Sequence, residues 1–156
     1  MTTVTKIFTF DACHHLPYYD GACSKLHGHT YKLEVTVTNA TGNVTGNGDK
    51  DKSNPKCGMI IDFKDLKKIV EDTVISKYDH SNLNDFFENP TAEIMVEKIG
   101  GDIIRELPKQ LSLVRVRLWE KIDSGYAEFT PFVIMYSDEY YKFLTTGSKT
   151  GLRSAT

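Results

Sequence analysis

An α+β fold, with one antiparallel sheet and two helices on one of its faces, is predicted by the order of patterned segments along the chain. Two stretches that alternate apolar and polar residues come first, two segments with helical apolar spacing follow, and two more alternating stretches close the pattern as ββααββ. No internal repeat interrupts this order. At 156 residues the chain is long enough for one domain with its own core. That domain is expected over residues 1–136, with 137–156 as a C-terminal extension whose last residues read as disordered.

The first strand is predicted within Thr3 to Leu16. Phe8, Phe10 and Ala12 form its apolar face, His14 continues that face, and Cys13 and His15 point the other way. Pro, Asp-Gly and Ser between Pro17 and Leu26 mark a connecting loop. The second strand starts near His27 and runs to about Asn39, with Tyr31, Leu33, Val35 and Val37 in phase with His27 and His29. Residues Thr41 to Gly58 are polar and hold four glycines, so a mobile loop is expected over about 42–58.

Asp62 is a fitting N-cap for a helix through about Ser76, with Phe63, Leu66, Ile69, Val70 and Val74 as its buried stripe. Lys77 to Asp85 is too polar for core and reads as a loop. Asn89 as N-cap with Pro90 at the first helical position opens a second helix. Its stripe is Ala92, Val96, Ile99, Ile103 and Leu107, and Pro108 ends it. Gly100 and Gly101 within it each cost about 1 kcal/mol relative to alanine, which suggests close packing against a neighbour. Ser112 to Lys121 is the third strand, with Val114, Val116 and Leu118 facing the core and Glu120 ending that row. A last strand is expected from Tyr126 to about Tyr136.

Composition narrows the function classes. A net charge of -2 provides no electrostatic footprint for nucleic acid, so no nucleic-acid partner is expected. No apolar run approaches the roughly 20 residues that span a bilayer, so no membrane partner is expected either. Cys13, Cys23 and Cys57 cannot all pair and no apolar leader opens the chain, so a cytoplasmic location is expected.

The chemistry concentrates in Cys23-Ser24-Lys25-Leu26-His27-Gly28-His29. Two histidines two apart leave the same face of a strand and can reach one ion. If the first two strands pair antiparallel, His14 joins them. Three histidines with an open fourth position describe a catalytic zinc site, whereas structural sites are usually closed by four ligands. His15 is the rival for the first ligand, disfavoured by strand parity, and a thiolate of Cys13 or Cys23 is an alternative ligand that zinc accepts.

These segments carry a resemblance. Phe-x-Ala-x-His, Cys-x3-His-Gly-His, Asp79-His80 followed by Asn-Leu-Asn, Asn89-Pro90-Thr91 and Trp119-Glu120 resemble, in that order, the 6-pyruvoyl-tetrahydropterin synthase family over roughly residues 5 to 130. The three-residue spacing before His-Gly-His looks most like the bacterial branch, the 6-carboxytetrahydropterin synthases of queuosine biosynthesis. The resemblance implies a tunnelling-fold subunit with a four-stranded antiparallel sheet, whose sheets join into a barrel in a homohexamer built as a dimer of trimers. Active sites would lie at subunit interfaces. It implies Zn2+ on His14, His27 and His29, Cys23 as catalytic base helped by Asp79 and His80, and Glu120 as the anchor of the pterin ring. Thr91 and Glu93 fall where relatives have pterin-contacting or helix-capping residues.

The implied reaction is a zinc-dependent lyase step on 7,8-dihydroneopterin triphosphate that yields 6-carboxy-5,6,7,8-tetrahydropterin, triphosphate and acetaldehyde. The alternative stops at 6-pyruvoyltetrahydropterin, and a remote one is a non-catalytic, zinc-stabilised binding module. The segment 42–56, Ile94, Lys121 and the tail depart from the family pattern, and none touches the implied metal or base.

Overall fold

The computed structural model describes residues 1–39, 56 and 58–131. Strand β1 (Val4–His14) and strand β2 (His27–Asn39) form an antiparallel pair. Helix α1 (Phe63–Val70) continues through a π turn (Glu71–Ile75) into a closing turn, α2 (Ser76–Tyr78). A two-residue strand β3 (Ser81–Asn82) and a 3-10 turn (Leu83–Asp85) lead to helix α3 (Ala92–Glu106). Strands β4 (Leu111–Trp119) and β5 (Ala127–Phe129) follow. The sheet order is β3-β1-β2-β4-β5.

This is the α+β architecture expected, with one difference in the sheet. Neighbouring strands are antiparallel except β3, which pairs parallel with β1 through Ala12–Ser81 and Cys13–Asn82, so the sheet is mixed and, among the described residues, has five strands. Ser81 and Asn82 lie in the segment expected to be a loop. Two residues carry no alternation, and only contact with β1 makes them a strand.

The core lies between the helices and one face of the sheet. Phe8, Phe10 and Ala12 of β1 and Tyr31, Leu33, Val35 and Val37 of β2 are buried with Leu66, Val70 and Val74 below them and Val96, Ile99 and Ile103 of α3. Phe63, expected in the α1 stripe, is instead 52% exposed, with the Lys6 ammonium over its ring. Asp62 is the N-cap of α1, accepting from the Lys64 N–H.

Two further features differ. Thr91, not Asn89, caps α3, its hydroxyl accepting from the Ile94 N–H, and Pro90 precedes the cap. Asn89 is outbid because its carbonyl closes a local turn onto the Thr91 N–H. In β4, Val37 pairs with Leu113 and Thr36 with Arg115, so Val114 is a bulge residue that resets the alternation. Leu111 and Leu113 are therefore core before the bulge, Val116 and Leu118 after it, and Val114 is only half-buried. Residue 100 carries the close packing expected of the glycine pair: a Cβ there would stand 2.1 Å from the Phe129 ring, while one on Gly101 would meet only the Arg105 side chain at 4.0 Å. The segment 42–55 and all but the first residues of the last strand lie outside the described residues.

Candidate active site

The β1–β2 register brings the three histidines together. His14 pairs directly with His27, Cys13 with Gly28 and Ala12 with His29, so His14, His27 and His29 emerge on one face at the end of the hairpin. Their ring centroids are 4.6 to 5.2 Å apart, and one nitrogen from each lies within 4.8 Å of the others. His15 lies outside the cluster, as strand parity requires. Cys13 faces the other side, its thiol donating to the Ser81 carbonyl at 3.6 Å.

Two of the rings are fixed by backbone carbonyls. His14 Nδ1 donates to the Pro90 carbonyl at 2.9 Å and His27 Nδ1 to the Lys25 carbonyl at 2.8 Å, which leaves each Nε2 with its lone pair free. Among the described residues, His14 Nε2 and His29 Nε2 are buried with no hydrogen-bond partner. Burial pulls the pKa of both rings below the ordinary histidine value, against a smaller opposing pull from the Glu120 carboxylate; in His14 the Pro90 carbonyl adds to that pull. Neutral imidazoles with orphaned nitrogens are the form that ligates metal, so the residues fit a divalent ion.

Glu120 follows β4, half-buried, and its charge reaches His14, His29 and Tyr31. Tyr31 forms the floor of the site, its ring edge-on to His14 at 6.1 Å and to His29 at 5.6 Å. Burial is the main cause that raises its pKa, and its hydroxyl has no partner among the described residues. The sequence marks Tyr31 only as core; its phase with His27 and His29 is the signal that places it beneath them.

Asp79 and His80 form a second cluster on the opposite face. His80 Nδ1 lies 2.9 Å from Asp79 Oδ1, the Asp11 N–H donates to the same oxygen at 2.9 Å, and the His80 N–H donates to the Asp11 carbonyl at 2.6 Å. Asp11, Asp79 and His80 offer ligand atoms within 4.8 Å of one another. His80 adopts a left-handed φ of 57°, a strained conformation that these bonds hold. Because Asp11 is three residues before His14, strand alternation puts the two clusters on different sides of the sheet. Cys23, half-buried in the 3-10 turn Ala22–Ser24, belongs to neither. Thr91 is engaged as the cap of α3. Glu93 lines an open groove of about 310 Å³ with Val96, Glu97 and residues Tyr126 to Phe129.

A mixed-sheet α+β fold carrying a three-histidine, metal-type cluster at the end of its central hairpin defines the class. Within that class, the family described as 6-pyruvoyl tetrahydropterin synthase matches residues 3–131, and the chain belongs to this enzyme family. A 6-carboxy-5,6,7,8-tetrahydropterin synthase of Haemophilus influenzae is 34% identical over 140 residues, covering 77% of this chain and 93% of that protein. A dihydroneopterin monophosphate aldolase of Pyrococcus furiosus is 36% identical over 117 residues, covering 75% of this chain and 88% of that protein. The structure of Caenorhabditis elegans 6-pyruvoyl tetrahydropterin synthase shares the fold with a TM-score of 0.65 at 23% identity, covering 83% of this chain and 94% of that one. No described helix is long and apolar enough to cross a membrane.

Proposed function

We propose that the protein is a zinc-dependent 6-carboxy-5,6,7,8-tetrahydropterin synthase, acting on 7,8-dihydroneopterin triphosphate and water and releasing triphosphate and acetaldehyde. The observation that carries this reading is the convergence of His14, His27 and His29 with two buried, unpartnered Nε2 atoms. The Haemophilus influenzae relative supports the carboxy product.

In this reading the three histidines hold Zn2+, which when bound supplies Lewis-acid polarisation of the substrate's side-chain oxygens. The Glu120 carboxylate accepts paired hydrogen bonds from the 2-amino group and ring N–H of the pterin. Cys23, as thiolate, takes a proton from the substrate side chain. The Asp79 carboxylate holds the His80 ring in one orientation, so that its Nε2 can move a second proton. Thr91 and Glu93 sit near the entrance to α3, where Thr91 acts through the cap and Glu93 offers a substrate contact.

The three-histidine cluster and the Asp79–His80 pair lie on different faces of the sheet, and among the described residues the sheet ends on two short edge strands, β3 and β5. Edges need cover. A homo-oligomer, expected as a hexamer formed from two trimers, would cover them and bring His80 of one copy to Cys23 of another. The reading further places the enzyme in the cytoplasm, within queuosine biosynthesis.

Mass spectrometry of the products from zinc-loaded protein and 7,8-dihydroneopterin triphosphate tests the assignment, with Cys23→Ala as control. A 6-carboxy product with acetaldehyde, absent in the control, is expected. A 6-pyruvoyl product would reassign the same site to the shorter reaction. Turnover of dihydroneopterin monophosphate alone would favour the aldolase chemistry named for the Pyrococcus furiosus relative, and no turnover from folded, metal-loaded protein would leave a binding module.

A further inference from the structure

We propose that Asn84 is a positioning residue for the site: its side-chain amide pairs with both backbone groups of His15 and so sets the spacing between His14 and the turn that carries Cys23. This rests on the three-histidine reading above.

Backbone pairing between β3 and β1 stops at Cys13–Asn82, where the chain enters the 3-10 turn. The side chain of Asn84 takes over the ladder. Its Oδ1 accepts from the His15 N–H at 2.9 Å and its Nδ2 donates to the His15 carbonyl at 2.9 Å. A loop asparagine ordinarily bonds its own neighbours; these two bonds span 69 residues of chain. The Asn84 N–H is itself held by the Asn82 side chain at 3.2 Å.

His15 is the residue between two parts of the site. On one side His14 donates from Nδ1 to the Pro90 carbonyl, and on the other the Leu16 N–H donates to the Cys23 carbonyl at 2.8 Å. The Cys23 loop is tied a second time to the same 82–90 segment, because the Tyr18 hydroxyl donates to the Glu88 carboxylate. One segment thus grips the ring of His14, the backbone of His15 and the loop that follows.

The chemistry requires an amide. A backbone N–H needs an acceptor and a carbonyl needs a donor, and asparagine offers both at one side-chain length. Aspartate would set an oxygen against the His15 carbonyl, and alanine would leave both groups unpaired. Loss of this pairing lets His15 shift, and small shifts of a supporting group are felt at the metal and at the reacting atoms.

The test uses the full chain as wild type, Asn84→Ala, Asn84→Asp and, as a control in the same turn, Asp85→Ala. Co2+ serves as a spectroscopic probe of the histidines, thermal unfolding as the measure of fold, and kcat and KM on 7,8-dihydroneopterin triphosphate as the measure of chemistry. Wild type and Asp85→Ala are expected to bind Co2+ alike. Both Asn84 variants should stay folded at the assay temperature, show an altered Co2+ absorption spectrum with affinity lower by about 10-fold or more, and lose about 10- to 100-fold in kcat with KM within about threefold. Wild-type spectrum, affinity and kcat in the two Asn84 variants would overturn the role. So would a rise in KM alone, which would mark a substrate contact, or unfolding of both variants at the assay temperature, which would mark a purely stabilising residue. Failure of wild type to bind Co2+ is a separate outcome: it overturns the three-histidine reading and this proposal with it.

Discussion

His29 contributes a buried nitrogen with no partner among the described residues, and that nitrogen is the reason its removal should be felt at the proposed metal rather than in the fold. His29→Ala is expected to lower Zn2+ affinity by at least about 100-fold, measured by competition with a chelator, because two imidazoles remain of three. Stripping the metal should abolish activity while far-UV circular dichroism stays native, since the core of Tyr31, Leu33, Leu66 and Ile99 is complete without it. Asp79 bears on pH. The Asp11 N–H is the main cause that holds its carboxyl below the ordinary value of 3.8, with the His80 ring adding to it. The folded pKa is depressed, so the stabilisation is present above that ordinary value and is lost as pH falls toward the folded one. Melting temperature measured from pH 5 down to pH 2 should therefore fall less steeply in Asp79→Asn than in wild type; equal slopes would show that the bond does not discriminate between the charged and neutral carboxyl.

At the scale of elements, α3 holds two adjacent glycines for different reasons. A Cβ at residue 100 would drive into the Phe129 ring of β5, whereas one at residue 101 meets only the Arg105 side chain, at 4.0 Å. Gly100→Ala is expected to destabilise by about 1–3 kcal/mol through overpacking, and Gly101→Ala to stabilise by up to about 1 kcal/mol through helix propensity. Urea denaturation of the two variants reads both signs, and a shared sign would refute the packing account. Helical spacing marks both glycines as costly, but only the position of β5 separates them. The same limit explains the shifted cap of α3 and the bulge at Val114. Asn89-Pro90 has the local signature of a helix start, yet Asn89 closes a turn and leaves the cap to Thr91, and the Pro90 carbonyl is freed to orient His14.

At the scale of the whole molecule, the two clusters sit on opposite faces of the sheet, and in the proposed reading assembly is the means by which they would meet. Neither Cys23→Ala nor His80→Ala homo-oligomers should turn over 7,8-dihydroneopterin triphosphate. Co-assembled in equal amounts they should recover about a quarter of wild-type activity, because half of the chains supply each intact group and a shared site needs both. No recovery in verified mixed oligomers would place both groups in one chain. Sedimentation or light scattering on the wild type measures the assembly itself.

Local pattern was enough to establish the hairpin and its histidines. Strand alternation has a period of two, so the residues on the face of His14, His27 and His29 follow from counting, and a short connection between two strands makes their antiparallel pairing the natural outcome. The helical stripes of α1 and α3 were legible from their own period, apart from Phe63, which stands exposed at the helix start beneath the Lys6 ammonium of β1. Tertiary structure alone decided what depends on partners distant in the chain: the parallel strand Ser81–Asn82, the left-handed His80 against Asp11, and the Asn84 amide on His15. Each is a polar or irregular feature that becomes favourable only when a neighbour about 70 residues away supplies the missing hydrogen bond, and no periodicity in the sequence records such a neighbour.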